Sequence, residues 1–166
     1  NNGVCVCQNI TDEEGNTLFP WKLHTMKNGL RIGIVGIVTD YVNIWEKEEN
    51  LKGIHITDPF EAAKKALAQM KEQADLTICI YHGGFECDLE SGETLSKTTE
   101  NVGYRICKEL DFDILLTGHQ HMSVPGRDLF GTYTVQPCDN AKEYQYLEVT
   151  MTDDEKNICS WLRQSD

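Results

Sequence analysis

Three histidines follow two short apolar segments of this chain. Gly-His-Gln-His at 118–121 places His119 and His121 one residue apart, and Tyr-His-Gly-Gly at 81–84 places His82 after the earlier segment. In extended backbone, residues i and i+2 point to the same side, with Cα atoms roughly 6–7 Å apart. This spacing suits two metal ions roughly 3.5–4 Å apart, each with one imidazole, better than a single ion. Because neutral imidazole commonly binds zinc, iron and manganese, the residues predict a metal site, preferably with two ions.

The elements before each histidine predict a β-α-β-α-β arrangement. The apolar run at 32–38 lacks alternating polar residues, which is typical of a strand covered on both faces in a parallel sheet. The runs at 76–81 and 112–116 are predicted to be further buried strands. Right-handed crossovers join such strands, so their carboxyl ends meet at one edge of the sheet. Ligands bind beyond that edge. The three histidines all follow strand ends and are therefore expected to converge.

Helical signals occupy both gaps between the apolar runs. Asp58 as N-cap and Pro59 at the first helical position predict a helix start. Apolar residues then recur at helical spacing, and Asp75 is expected to end the helix. We expect Thr98 or Thr99 to cap a second helix with an apolar face. The residues of that face are Val102, Ile106 and Leu110.

The remaining segments are predicted to form antiparallel strands and irregular loops. The isolated His24 and His55 are interpreted as packing or surface residues. The predicted strands are 4–10, 18–26 and 133–136, together with a hairpin of 144–151 and 158–162 joined across 153–156. Asn28-Gly29 predicts a tight turn, 39–57 a loop and 124–128 a further turn.

The composition favours one acidic domain. The 166 residues suffice for one domain with a buried core, and the formal net charge is −12. Such a surface repels nucleic-acid polymers and anionic membranes, although a small phosphate can still bind through cations in a cleft. No run approaches the ~20 apolar residues of a transmembrane helix. Because the chain begins at Asn1 rather than Met and an apolar segment follows at once, we expect it to be part of a longer chain.

The seven cysteines are interpreted mostly as reduced structural residues. Their odd number and the lack of a CxxC pair argue against zinc ribbons and thioredoxin-like motifs. Cys79 falls in a predicted strand and Cys107 in a predicted helix, where free cysteine packs as a small hydrophobic residue. This usage indicates a reducing, cytoplasmic compartment. Cys5 and Cys7 could form a metal or redox pair, but packing within a buried strand is the preferred interpretation.

The two histidine motifs, taken together, resemble a known enzyme family. Tyr-His-Gly-Gly at 81–84 followed by Gly-His-Gln-His at 118–121 is similar to the C-terminal half of the calcineurin-like metallophosphoesterase domain. The resemblance is closer to its branch of 5′-nucleotidases and 2′,3′-cyclic-nucleotide 2′-phosphodiesterase/3′-nucleotidases. It covers about residues 4–149 and implies that residues 1–166 are the C-terminal part of one such domain. Further similar segments are 36–39, 45–46, 100–101 with Tyr104, 125–128 and 135–137.

The resemblance implies a fold and a set of metal ligands. The complete domain of this family is a four-layer α/β/β/α sandwich, so this α/β chain would be a partial sandwich. It would consist of a β-α-β-α-β parallel core plus antiparallel C-terminal strands. The family uses two divalent metal ions, such as manganese, zinc or iron; His82 and His119 would bind one ion and His121 the other. Asn101 and Gln120 are candidates for side chains that orient these ligands.

The resemblance also implies that part of the site lies outside this chain. The family requires an Asp-x-His, a Gly-Asp that bridges the ions and a Gly-Asn-His whose histidine is the general acid. Residues 1–166 contain none of these motifs. The catalytic residues are therefore expected in a missing N-terminal half, and this chain alone is expected to be inactive. Asp40, Glu86 and Asp88 are available carboxylates, but no spacing identifies them as substitutes.

The implied activity of the intact parent is metal-dependent hydrolysis of small nucleotide phosphoesters, of the 5′-nucleotidase or 2′,3′-cyclic-nucleotide phosphodiesterase type. In this family a separate C-terminal domain selects the nucleotide, and members are often exported or found at the cell surface. Two alternatives stay open. One is a module that binds a single zinc ion through the three histidines, with water as the fourth ligand. The other is a non-catalytic relative that keeps the fold as an interaction domain.

Overall fold

The computed structural model describes residues 3–152 and 155–165. Among these residues, no helix is long and apolar enough to cross a membrane. The elements in chain order are β1 (Cys7–Thr11), β2 (Thr17–Phe19), β3 (Lys22–Thr25), β4 (Arg31–Val38), α1 (Val42–Trp45), a 3₁₀ turn (Glu48–Asn50), β5 (His55–Ile56), α2 (Pro59–Met70), β6 (Leu76–His82), α3 (Gly103–Glu109), β7 (Ile114–Thr117), β8 (Val124–Leu129), β9 (Thr132–Gln136), β10 (Glu143–Met151) and β11 (Lys156–Gln164).

A six-stranded sheet forms the centre of the fold, in the order β3-β4-β6-β7-β9-β8. Strands β4, β6, β7 and β9 are parallel, whereas β3 and β8 pair antiparallel at the two edges. Helix α2 lies between β4 and β6 in the chain, and α3 lies between β6 and β7. The predicted α/β class and its β-α-β-α-β core are confirmed. Because β6 and β7 are parallel neighbours, their carboxyl ends lie side by side.

Helices α2 and α3 cover one face of this sheet. In β6, the alternate residues Cys79 and Tyr81 are almost fully buried in the hydrophobic core. The same core contains Val35 of β4, Phe60 of α2 and Leu115 of β7. Burying each large apolar side chain stabilises the fold by roughly 1.5–3 kcal/mol. This face therefore anchors the two strands that lead to the predicted histidine site.

The opposite face of the sheet is only partly covered by the described residues. Ile80, next to the end of β6, is 42% exposed, and Ile32 and Ile34 of β4 are half-buried. A cleft of about 440 Å³ separates this face from β10. The prediction that these strands are covered on both faces is therefore wrong for residues 3–152 and 155–165. The exposed apolar side chains form a surface suited to burial against another layer.

Carboxylates cap the starts of α2 and α3. Asp58 accepts a hydrogen bond from the backbone N–H of Glu61 at 3.0 Å, so the predicted N-cap of α2 is confirmed. At α3, the carboxylate of Glu86 accepts from two backbone N–H groups of the first turn at 2.7 and 2.9 Å. The predicted cap at Thr98 or Thr99 is wrong because this carboxylate, distant in sequence, takes the place of a local cap.

Helix α2 is shorter than predicted, since it ends at Met70. Asp75 does not end the helix but pairs with Arg31, accepting from its backbone N–H at 2.9 Å and from Nη2 at 2.5 Å. These hydrogen bonds lower the pKa of the Asp75 carboxyl to about 2. The contact joins the start of β4 to the segment that leads into β6.

The outer segments differ from prediction in several places. The predicted loop at 39–57 contains α1, a 3₁₀ turn and β5, and β1 starts only at Cys7. The second predicted strand is split into β2 and β3 at Pro20, which has no N–H to donate. The predicted turn at 124–128 is strand β8; its proline is tolerated because β8 is an edge strand. Strand β9 and the hairpin of β10 and β11 are confirmed, and its residues 153–154 lie outside the described residues.

The cysteines are free thiols in the structure. Cys79 and Cys107 are buried, as predicted, and burial raises the pKa of both, that of Cys107 to about 12. Cys7 is half-buried and burial raises its pKa to about 11. Cys5 is exposed, because it precedes β1 rather than lying within it, so its interpretation as a buried strand residue is wrong.

Candidate metal centre

The structure brings two of the predicted histidines into contact at the carboxyl ends of β6 and β7. His82 is the last residue of β6, and His119 follows β7. Their ring centroids are 5.2 Å apart and the rings are tilted by 59°. His121 is near enough to influence the ionisation of His82. The two isolated histidines, His24 in β3 and His55 in β5, are exposed surface residues.

The environment of His82 favours its neutral form. Partial burial lowers the pKa of its imidazole, and the neighbouring imidazoles of His119 and His121 lower it further. A second positive charge beside an imidazolium is unfavourable, and a buried charge loses its hydration. At neutral pH His82 therefore keeps a ring nitrogen with a free lone pair, which is the form that binds a metal ion.

The segment that carries the other two histidines is a tight turn. His119 and His121 have positive φ angles of 71° and 54°, and the Gln120 N–H donates to the Gly118 carbonyl at 2.8 Å. This is a γ-turn centred on His119, a strained conformation for a residue other than glycine. Our assumption of extended backbone at 118–121 is therefore wrong, because the chain turns as soon as β7 ends.

Gln120 joins the two histidine loops. Its Oε1 accepts from the backbone N–H of Phe85 at 2.8 Å, and its Nε2 donates to the Phe85 carbonyl at 2.9 Å. The Gly118 N–H also donates to the Gly83 carbonyl at 3.1 Å. A Cβ atom at Gly84 would lie 2.0 Å from Gln120 Oε1, so the close approach requires glycine there. Gln120 thus fixes the backbone around the histidines rather than an imidazole.

Asn101 is a second side chain that holds the loop after β6. Its side chain is buried, and Oδ1 accepts from the backbone N–H of Gly84 at 2.7 Å. The Gly103 N–H donates to the Gly84 carbonyl at 2.9 Å. Asn101 therefore also acts on the backbone of the loop, and the start of α3 is tied to the same point.

Glu100 is the residue of this region that we did not single out from the sequence. Its carboxylate Oε1 lies 2.6 Å from Nε2 of His119. Its backbone carbonyl accepts from the hydroxyl of Thr39 at 2.7 Å and from that of Tyr81 at 3.1 Å. The resemblance of segment 100–101 to the family was the only signal available, because no spacing rule connects Glu100 to His119.

An aromatic side chain covers one face of His119. The indole of Trp45 stacks on the imidazole with centroids 5.2 Å apart and planes 25° apart. The ring of Tyr41 packs edge-on against Trp45, with the ring centroids 6.2 Å apart. Segment 45–46 resembles the family, but because 39–57 is predicted to be a loop, no spacing rule places Trp45 beside His119. The stack restricts rotation of the ring and limits access of water to that face.

Two of the three available carboxylates, Glu86 and Asp88, have other hydrogen-bond partners. Glu86 caps α3, and burial raises its pKa. Asp88 accepts from backbone N–H groups within its own turn, which lowers its pKa. Burial, followed by the nearby Asp58 carboxylate, raises the pKa of Asp40.

Several known proteins with similar sequences are nucleotide phosphoesterases by name. No family model matches the chain. A 2′,3′-cyclic-nucleotide 2′-phosphodiesterase/3′-nucleotidase of Salmonella typhimurium is 33% identical over 101 residues, which are 60% of this chain and 15% of that protein. A 5′-nucleotidase of Vibrio cholerae is 28% identical in an alignment of 175 positions, gaps included, that covers 92% of this chain and 31% of that protein.

Solved structures show the same fold. A Staphylococcus aureus protein described by its name as a 5′-nucleotidase superposes with a TM-score of 0.86 at 30% identity, over 98% of this chain and 33% of that one. The resemblance to the nucleotidase branch of the calcineurin-like phosphoesterases is confirmed. The calcineurin-like phosphoesterase YfkN of Bacillus subtilis also shares the fold, with a TM-score of 0.77 at 20% identity, over 96% of this chain and 55% of that one. The chain spans a third or less of the length of the Salmonella and Vibrio relatives that it matches in sequence.

The imidazoles of this phosphoesterase fold fit a divalent metal ion but do not complete its coordination. Among residues 3–152 and 155–165, no three His, Cys, Asp or Glu side chains are placed to hold an ion together. The two imidazoles in contact are nevertheless of the right type, His82 favours its neutral form, and His119 has a carboxylate partner as metal-binding histidines usually do. The single-zinc alternative, which needs all three histidines on one ion, gains no support from this arrangement.

Proposed function

We propose that this chain forms one side of the active centre of a two-metal phosphoesterase that hydrolyses nucleotides. The reaction would be of the 5′-nucleotidase or 2′,3′-cyclic-nucleotide phosphodiesterase type. The observation that carries the proposal is the contact of His82 and His119, with ring centroids 5.2 Å apart, at the carboxyl ends of neighbouring parallel strands. The proposal is further supported by relatives in sequence and structure whose names contain these activities.

His82 and His119 would hold one divalent ion, and His121 the second, with manganese, zinc and iron as candidate metals. When bound, such ions bind phosphate oxygens and lower the pKa of a coordinated water. The chain's own residues prepare this site. Gln120 holds the two histidine loops together, and Trp45 limits water at one face of His119.

The remaining ligands and the general acid would come from residues outside 1–166, in the N-terminal half of the same domain. The partly covered sheet face supports this proposal, because the apolar side chain of Ile80 stands 42% exposed next to His82. A further C-terminal domain would select the nucleotide. The net charge of −12 favours a small substrate held by metal ions over a nucleic-acid polymer.

The test is hydrolysis by the full-length natural protein with added Mn²⁺. We expect cleavage of bis-p-nitrophenyl phosphate and of 2′,3′-cyclic AMP or 5′-AMP, and a loss of at least about 100-fold in His82→Ala and His119→Ala. The matched control is His24→Ala, since His24 is exposed on β3.

Metal analysis of the same proteins distinguishes the alternatives. We expect about two ions per chain, lost in separate steps in His119→Ala and His121→Ala. One ion per chain, held by all three histidines, would contradict the two-metal proposal. If the folded wild-type protein hydrolyses none of these substrates, the alternative of a non-catalytic interaction domain would be favoured.

A further inference from the structure

The side chains of Glu100 and His119 are within hydrogen-bond distance of each other. Glu100 Oε1 lies 2.6 Å from Nε2 of His119. An ionised carboxylate accepts hydrogen bonds and cannot donate them, so Nε2 must be the protonated nitrogen. In a neutral imidazole the other nitrogen then has the free lone pair. Nδ1 is therefore the atom of His119 that is available to a ligand.

The position of Glu100 is fixed by its backbone. Its carbonyl accepts from the hydroxyls of Thr39 and Tyr81, both almost completely buried. The Thr39 N–H in turn donates to the carbonyl of His82 at 3.0 Å. Glu100 is thus tied to the end of β6 and to the residue that follows β4. These backbone hydrogen bonds hold Glu100 in place independently of its contact with His119.

The contact is partly shielded from water. The side chains of His119 and Glu100 are 21% and 26% exposed, and Trp45 stacks on the imidazole. A hydrogen bond to a charged acceptor is stronger in such surroundings than in bulk water. The stacking and the carboxylate together favour one orientation of the ring.

We infer that Glu100 is a positioning residue that selects the Nε2–H tautomer of His119, so that His119 binds its metal ion through Nδ1. The metal-binding part of this inference rests on the proposed function. The tautomer itself is a property of the metal-free protein, so the two can fail separately.

The first experiment measures the tautomer directly. Two-bond ¹H–¹⁵N correlation spectra are recorded for the metal-free, full-length natural protein labelled with ¹⁵N-histidine, at a pH above 8.5, where unperturbed imidazoles are neutral. We expect His119 to be a single Nε2–H tautomer in the wild type and a mixture of tautomers in Glu100→Ala. Glu100→Gln, which keeps the size and one acceptor oxygen, should give an intermediate result. An Nδ1–H tautomer in the wild type, or an unchanged tautomer in Glu100→Ala, would overturn the inference.

The second experiment measures affinity for Mn²⁺ by calorimetry. Loss of the partner of a metal-binding histidine typically weakens binding 10–100-fold, so we expect this loss in Glu100→Ala and a smaller one in Glu100→Gln. The matched control is Glu49→Ala, whose side chain is 76% exposed and should leave both readouts unchanged. If the tautomer responds as expected but the wild type binds no Mn²⁺, the proposed function is wrong while the control of the tautomer by Glu100 stands. Full Mn²⁺ affinity in Glu100→Ala would overturn the positioning role.

Discussion

Replacing Gln120 by alanine removes the side chain that joins the two histidine loops. Gln120 makes two hydrogen bonds of 2.8 and 2.9 Å to the backbone of Phe85, a residue only 6% exposed. Each bond contributes roughly 0.5–1.5 kcal/mol net, and a buried backbone group left without a partner costs roughly 1–3 kcal/mol. Water can enter part of the space left by the side chain and hydrogen-bond to these two groups, which reduces the cost. We therefore expect Gln120→Ala to lower the free energy of unfolding by about 2–4 kcal/mol.

Urea unfolding followed by tryptophan fluorescence measures this loss. In a chain of this size each kcal/mol corresponds to roughly 2–4 °C in Tm, so thermal unfolding should shift down by about 4–16 °C. The matched control is Gln73→Ala, because Gln73 is exposed and makes only a weak bond of 3.4 Å. Its effect should stay within about 0.5 kcal/mol. If Gln120→Ala costs no more than this control, the bonds to Phe85 do not hold the loops together and our reasoning is refuted.

Three further predictions concern stability. Gly84→Ala places a Cβ atom 2.0 Å from Gln120 Oε1. It should therefore lower the Tm more when Gln120 is present than in the Gln120→Ala background. Equal losses of Tm in the two backgrounds of this double-mutant cycle would contradict the prediction. Hydrogen bonding lowers the pKa of Asp75 from 3.8 to about 2, so its stabilising contribution is present above pH 4 and is lost as the pH falls towards 2. The Tm of Asp75→Asn should accordingly lie below that of the wild type at pH 7, and the difference should narrow between pH 4 and 2; a constant difference would argue against this assignment. Thr39→Val removes the buried hydroxyl bond to the Glu100 carbonyl and should cost about 1 kcal/mol in urea unfolding, whereas unchanged stability would show that this bond contributes little.

The parallel core could be predicted because its signals are local. Continuous apolar runs identify the strands, and Asp58 identifies the start of α2 through a contact with Glu61, three residues later. Once the strands are parallel, topology alone places His82 and His119 at neighbouring strand ends. The meeting of these two rings thus follows from periodicity and connection rules, without knowledge of side-chain geometry.

The remaining features depend on the paths of loops, and sequence patterns carry little information about them. Glu100 contacts His119 because the segment before α3 is hydrogen-bonded to Tyr81 of β6, and Trp45 contacts His119 from the segment after β4. Glu86 replaces a local cap of α3 from outside the helix. The exposure of Ile80 was missed for a different reason: an apolar run shows that a strand suits burial on both faces, not that both covering layers are within the same 166 residues.

The left-handed backbone at His119 and His121 has a consequence for the evolution of this segment. With φ angles of 71° and 54°, both positions suit glycine or asparagine better than histidine. Selection for heat resistance alone, without selection for activity, should therefore replace these histidines, and libraries of random variants should be enriched in glycine there. If the two imidazoles bind metal ions as proposed, the same selection should reduce metal binding as it raises the Tm.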